Sequence, residues 1–256
     1  MVEDRRREMN GFKPALFGNL MVTKAPLYYD GTTFIIKDND WNHDSYNSIY
    51  GKNAGSYYFN YVQVGQYFDS RGSSFNVSGG SIDNNGNKIT YRGYNDWQMP
   101  TRDNWRTLLG TGRSGSTING TQNCKYAYIS LTGITHATNQ TPNALLLAPD
   151  NLILTGISKT FTWNNSSFNL SSNSGVTESQ LNEYLGHGCV LIPCSGHRTT
   201  YSWNEGGTNG SYWSATEYSS SAGASCIFGP NYLNTNRNDS KERYHFPIRL
   251  VRYFSN

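Results

Sequence analysis

From Ser211 to Arg252 the chain sets two blocks of packed-structure residues around a tract that obeys no hydrophobic rule. The first block is Ser211-Tyr212-Trp213-Ser214-Ala215-Thr216-Glu217-Tyr218. The second is Phe246-Pro247-Ile248-Arg249-Leu250-Val251-Arg252. Between them Asn231, Asn234, Asn236 and Asn238 recur among Ser, Gly, Tyr, Lys and Glu. The bracket calls for a rigid frame that fastens both ends of a surface segment, the arrangement in which a scaffold carries a replaceable face.

The frame must be built largely from aromatic residues. Only 36% of the 256 residues are hydrophobic, but 19 Tyr and 6 Trp supply large buried areas where aliphatic side chains are few. The length allows one large domain or two small ones, and neither an internal repeat nor a long linker divides it. A charged fraction of 15% sets the chain apart from charge-rich disordered sequences. A net charge of +3 with scattered basic residues gives no nucleic-acid footprint. Cys124, Cys189, Cys194 and Cys226 form no C-x-x-C pair, and Cys189 and Cys194 read as small buried thiols. The charged stretch Met1 to Met9 has no apolar region after it, so no signal peptide is visible. The longest apolar runs are too short to span a bilayer.

Along the chain, Pro26 to Lys37 reads as a hairpin around Asp30-Gly31. Tyr57 to Phe68 has Phe59, Val62 and Tyr67 near helical spacing. Thr101 caps a helix whose apolar stripe is Trp105, Leu108 and Leu109, with Gly110 as its end. Tyr126–Thr132 and Leu145–Ala148 read as strands, with Asn151–Leu154 returning across a Pro149-Asp150 turn. Thr177 and Gln180 form a capping box for a second helix through Leu181, Tyr184 and Leu185, stopped at Gly186. Cys189 to Pro193 is the short apolar run of a strand buried on both faces. Phe246 to Phe254 reads as a last strand.

Four of these blocks resemble, in order, one known group. Trp97-x-Met99-Pro100-Thr101-x-x-x-Trp105 resembles the W-x-L-P-T-x-x-E-W motif of formylglycine-generating-enzyme-like proteins and the Fibrobacter succinogenes major paralogous domain; Asn104 replaces the usual Glu, a change expected to alter surface charge more than the helix. Gly188 to Gly196, Ser211 to Tyr218 and Ile248 to Arg252 resemble its G-C-V-F-L-P-A-S-G, Y-W-S-S/A-T-E-Y and S-V-R-L-V-R blocks. Residues 16–70 also look like the N-terminal part of longer members from gut Bacteroidota and their phages. The resemblance implies an α+β C-type lectin fold of the formylglycine-generating-enzyme-like subtype: a mostly antiparallel sheet, two main helices and inserted loops. It implies residues 1–25 as an arm and 26–256 as one ligand-binding domain, with 110–196 as an inserted lobe and 211–252 as the candidate variable region. Some members are variable proteins of diversity-generating retroelements, in which adenine-directed mutagenesis rewrites Asn codons into Tyr, Ser, Asp, His, Phe or Gly. The 222–246 tract has that residue mix at roughly alternating positions.

Other chemistry finds less support. The enzymes of the group bind copper with two nearby C-terminal cysteines, whereas Cys226 stands alone in its block. His43, His136, His187, His197 and His245 form no metal-binding pair; His187 and His197 flank one strand and read as satisfied loop residues. Asp38, Asp40 and Asp44 lack the Gly and terminal Glu of an EF-hand, and the Glu-Pro-Asn and Gln-Pro-Asp motifs of calcium lectins are absent. Gly206 to Gly210 has no phosphate-loop context. Trp97, Trp105 and Trp213 read as core, Glu217 as bonded to a neighbouring loop, and Arg249 and Arg252 as reaching acidic partners at a sheet edge.

The reading that results is a non-enzymatic receptor-binding protein without cofactor or metal. Its expected contact residues are Ala222, Ala224, Ser225, Ile227, Gly229, Asn231, Tyr232, Asn234, Asn236, Asn238, Ser240, Tyr244, His245 and Phe246. Tyr gives contact area at small entropy cost, and Ser, Gly and Asn adapt their hydrogen bonds. The expected partner is a protein or glycan on a host or neighbouring cell surface, met from a phage tail tip or bacterial surface, with no nucleic acid and no membrane insertion. A homotrimer on a fibre suits the charged arm. The main alternative is an undiversified cell-surface or fimbria-associated structural protein of the same fold; the third is an oxygen-using modifying enzyme.

Overall fold

Two helices are specified by their own first turns. In the computed structural model, which describes residues 16–29, 34–36, 59–60, 90–110, 116–122, 125–133, 142–163, 170–199 and 202–254, α1 is Arg102–Leu109 and α2 is Glu178–Gly186. The Thr101 hydroxyl accepts from Asn104 N at 3.1 Å, and Asn104 Oδ1 accepts from Thr101 N at 2.9 Å, closing a capping box. Asn104 is not a surface residue as expected: it is buried, and its Nδ2 donates to Tyr253 Oη at 2.7 Å. Thr177 and Gln180 close the same box on α2, which runs through Gly186; the left-handed turn falls at Gly188, φ +91°.

Strands β1 (Leu20–Val22), β2 (Leu27–Tyr29), β3 (Phe34–Ile36) and β4 (Phe59–Asn60) precede α1. The expected helix over 57–68 is overturned where it can be seen: β4 pairs Phe59 with Phe246 and Asn60 with His245. β2 and β3 pair antiparallel with Tyr29 opposite Phe34, the expected hairpin; the Asp30-Gly31 turn lies outside the described residues. Between the helices lie β5 (Thr117–Ile118), β6 (Thr121–Gln122), β7 (Tyr126–Ser130) and β8 (Asn143–Leu147). The expected return strand over 151–154 does not form; Asn151 turns at φ +55° and Leu152 makes only an isolated bridge to Ile118. β8 instead pairs with β7 and with β9 (Val190–Pro193).

The β7–β8–β9 sheet divides the interior by its period of two. Tyr126, Tyr128, Leu145, Leu147, Val190 and Ile192 join Trp105, Leu108, Tyr212 and Phe228 on one side. Ala127, Ile129, Leu146 and Leu191 join Phe161, Leu181 and Tyr184 on the other. β9 ends the sheet yet is buried on both faces, as its apolar run implies. Trp97, Trp105 and Trp213 are buried; each removes about 200 Å² from water, worth on the order of 5 kcal/mol.

The remaining strands are β10 (His197–Arg198), β11 (Trp203–Asn204), β12 (Gly210–Glu217), β13 (Ala222–Gly229), β14 (Tyr232–Ser240), β15 (His245–Phe246) and β16 (Val251–Tyr253). β16 pairs antiparallel with β1, joining the chain's early and late segments; residues 247–250 break the expected continuous last strand. The chain is thus α+β with mostly antiparallel strands. Among the described residues no helix is long and apolar enough to cross a membrane. Of the expected arm over 1–25, residues 1–15 lie outside the described residues, whereas Phe17 and Leu20 are buried in the main core and Leu20–Val22 is β1. The aspartates at 38–44, His43, His136 and Cys124 also lie outside the described residues.

Candidate ligand-binding face

β12, β13 and β14 form an antiparallel sheet in that order, so the tract between the two framing blocks is a hairpin rather than a loop. Its two strands have opposite fates. β13 is central, and its small side chains let both faces be covered. Cys226 and Phe228 enter the main core, where Phe228 stacks on Tyr212 with ring centroids 6.1 Å apart. Ser225 and Ile227 point to the other face, beside Trp213, whose ring lies 4.3 Å from Phe246.

This corrects the expected contact surface. Ala224, Ser225, Ile227, Gly229, His245 and Phe246 are buried and cannot meet a ligand. Gly229 has no room for a side chain either: a Cβ there meets the Tyr232 ring and Asn209. Ala222, Ser240 and Tyr244 are half-buried, and Asn231, Tyr232, Asn234, Asn236 and Asn238 are exposed.

β14 is the end strand of the sheet, and a β-bulge divides it. Ile227 pairs with Asn234 but Ser225 with Arg237, so two residues of β14 stand opposite Cys226. Before the bulge Tyr232 and Asn234 point to the sheet's outer face; after it Arg237 and Asp239 do, opposite Ser225 and Gly223. Asn238 therefore faces away from Asn234, although the alternation of asparagines suggests one side.

The outer face gathers ionisable groups from three segments. His197 Nδ1 on β10 lies 3.5 Å from Glu205 Oε2. Glu205 sits at φ +60° in the turn after β11, where its carbonyl accepts from Thr208 and Asn209 at 3.1 and 2.9 Å. On β14, Arg237 Nε lies 3.3 Å from Asp239 Oδ1, and Ser225 Oγ donates to Asp239 Oδ2 at 2.5 Å. The His197 ring meets Tyr244 edge-on at 5.3 Å. Burial holds the His197 imidazole below its ordinary value, against the charges of Glu205 and Asp239. Burial likewise raises the Asp239 carboxyl, against the Ser225 hydrogen bond and Arg237.

No family model, curated protein or solved structure matches this chain.

The fixed residues around the face behave in several ways. Lys241, nearly buried, donates to the Glu217 carboxylate and to Ser220 O at 3.2 Å, so Glu217 closes the turn below the face. Arg252 grips Asp96 with two bonds of 2.6 and 2.7 Å, as expected of it. Among the described residues Arg249 pairs with no acid. It is fully buried and donates to the carbonyls of Thr23 at 3.0 Å and Leu191 at 2.6 Å, its charge lowered in pKa by burial. His187 bonds Thr155 O at 3.1 Å, so it and His197 take separate partners. Cys189, Cys194 and Cys226 are free and buried, and burial pushes the Cys194 thiol up to about 12. Among the described residues no three of His, Cys, Asp and Glu group as metal ligands.

Sequence reasoning missed Glu205, Arg237 and Asp239 and set His197 aside. One local signal was readable: Arg237 and Asp239 stand two apart, the spacing that puts opposite charges on one side of a strand. The meeting with His197 and Glu205 depends on long-range pairing and has no local mark.

Proposed function

We propose that this chain is a receptor-binding protein of C-type lectin type whose replaceable contact surface is the exposed side chains of β14 with the adjoining Asn231 and Tyr244, diversified by a retroelement and displayed on a phage tail tip or bacterial surface. The observation that carries the reading is the contrast within one hairpin. Tyr232, Asn234, Asn236, Arg237 and Asn238 on β14, with Asn231 just before it, are exposed, whereas Gly223 to Gly229 of the neighbouring β13 are buried. Substitution at these positions leaves the core untouched while changing what the surface recognises. Tyr, Asn and Arg also have the combination of rigid contact area and adaptable hydrogen bonding that recognition surfaces use.

Sequencing this locus across a population tests the reading. Substitutions concentrated at adenine-bearing template positions for residues 231–244, sparing the codons of Ala224 to Phe228, are expected. Substitutions absent or scattered evenly along the chain would overturn diversification and favour a fixed-sequence surface protein.

A further inference from the structure

The two edges of the β12–β13–β14 sheet differ. On β12 the outward backbone is bonded by the frame: Trp213 N donates to Pro247 O at 3.2 Å, Ala215 N donates to Pro100 O at 2.8 Å, and Gly210 bridges to Gly196. β14 is nine residues long and ends the sheet on the other side. Among the described residues, no segment outside the β13–β14 hairpin bonds the backbone of Tyr232 to Asp239. A long strand edge left open is a template for another strand.

The bonds at the sheet's ends fix which groups of β14 face outward. Lys241 N donates to Ser221 O at 3.0 Å, across the hairpin. In an antiparallel pair, alternate residues turn both of their backbone groups to the same side. Arg237 and Asp239 therefore bond β13 opposite Ser225 and Gly223, and Asn236, Asn238 and Ser240 turn their backbone groups away from it. The same phase turns Trp213, which stands opposite Ser225, outward on β12, where it meets Pro247. Asn236 N has a local partner in Asn234 Oδ1 at 2.9 Å, and Ser240 O accepts from Tyr244 N at 3.3 Å. What remains at the edge is Asn236 O, both backbone groups of Asn238, and Ser240 N.

That remainder is complementary to itself. A second β14 laid antiparallel about a two-fold axis through Asn238 sets Asn238 against Asn238 and Asn236 against Ser240. Each Asn238 N–H then donates to the other copy's Asn238 carbonyl, and each Ser240 N–H to the other copy's Asn236 carbonyl. The local bonds of Asn236 N and Ser240 O stay as they are. The charges match as well. Arg237 falls opposite Asp239 of the second copy, in the non-hydrogen-bonded position where facing side chains stand closest. Arg237 is 44% exposed and already lies 3.3 Å from its own Asp239, so the pairing brings two guanidinium and two carboxylate groups together with signs alternating. The β-bulge bends the strand just before Arg237 and limits the ladder to residues 236–240.

We propose that the open edge of β14 pairs with the same edge of a second copy of this chain, antiparallel over residues 236–240, joining two three-stranded sheets into one continuous sheet. The contact is made by backbone groups, so it persists when side chains such as those of Tyr232 and Asn234 are replaced. It goes beyond the receptor-binding reading and does not depend on it.

Sedimentation velocity and light scattering on the full chain, from about 5 to about 500 μM, test the pairing. The ladder is short, and a dimer with a Kd on the order of 100 μM is expected. Hydrogen exchange of the Asn238 and Ser240 amides should slow as concentration rises, while that of Asn236 stays constant. Asn238→Pro removes an outward N–H that β13 does not use and should weaken the dimer about tenfold or more, whereas Asn238→Ala keeps the N–H and should leave the dimer in place. Arg237→Glu, at an exposed side chain, sets like charges opposite one another and should weaken the dimer about threefold or more, which keeps the test decisive if the proline variant fails to fold. A chain that stays monomeric at every concentration overturns the inference. So does a dimer indifferent to Asn238→Pro and Arg237→Glu, a dimer lost as fully on Asn238→Ala as on Asn238→Pro, or concentration-dependent protection centred outside residues 236–240.

Discussion

Asn104 carries two duties that a glutamate at its position would not carry in the same way. Its side-chain oxygen completes the capping box of α1, and its amide nitrogen ties that helix to Tyr253 at the end of the last strand. Asn104→Ala should cost about 1–2 kcal/mol in urea denaturation, more than Thr101→Ala, because it removes the bond to Tyr253 as well as the cap bond. Arg249 is a buried cation held by backbone carbonyls. Arg249→Ala leaves those carbonyls and a cavity behind, and should lower stability by about 3 kcal/mol or more by the same measurement. His245 gives the chain an acid-side dependence. Burial lowers its pKa to about 4, with the nearby Arg198 charge acting in the same direction. The unfolded chain therefore binds the extra proton between about 6.5 and about 4, and stability falls as pH drops through that window, by up to about 3 kcal/mol. His197 adds to this trend, and Asp239, whose carboxyl is raised, opposes it. His245→Gln should flatten the difference between denaturation midpoints at pH about 7 and about 5.

At the scale of elements, β13 and β14 explain both what the sequence disclosed and what it hid. The two helices were legible because capping boxes and i, i+3, i+4 stripes are local signals, and Cys189 to Pro193 was legible because a strand covered on both faces is apolar throughout. β13 is covered on both faces too, but it achieves this with Ala, Gly, Ser and Cys. Such small residues look like a loop by composition, and their burial depends on Tyr212, Trp213 and Phe246 arriving from elsewhere. The bulge in β14 is equally silent, since the asparagine alternation runs straight through it. Serine placed singly at Asn234, Asn236 or Asn238 should change stability by less than about 0.5 kcal/mol, whereas Ala224→Asp or Ile227→Asp should cost about 3 kcal/mol or more in thermal unfolding.

On the scale of the molecule, the framing blocks are joined through long-range contacts that the tract between them does not supply. Trp105 Nε1 donates to Trp213 O, Ala215 N to Pro100 O, and Val251 and Gln98 exchange backbone bonds. β1 pairs with β16 at the rear of the same frame. These pairings lie in the order of the sequence blocks but not in any one of them, which is why the broad class was readable while the strand neighbours and the charged face were not. The account's central claim is that this frame stands independently of the outward side chains of β14. Saturation substitution of residues 222–246, sorted by protease resistance of the displayed chain, measures it directly. The account predicts wide tolerance at Asn231, Tyr232, Asn234, Asn236 and Asn238 beside near-complete intolerance at Ala224, Ser225, Ile227 and Phe246. Equal intolerance along both strands would contradict it.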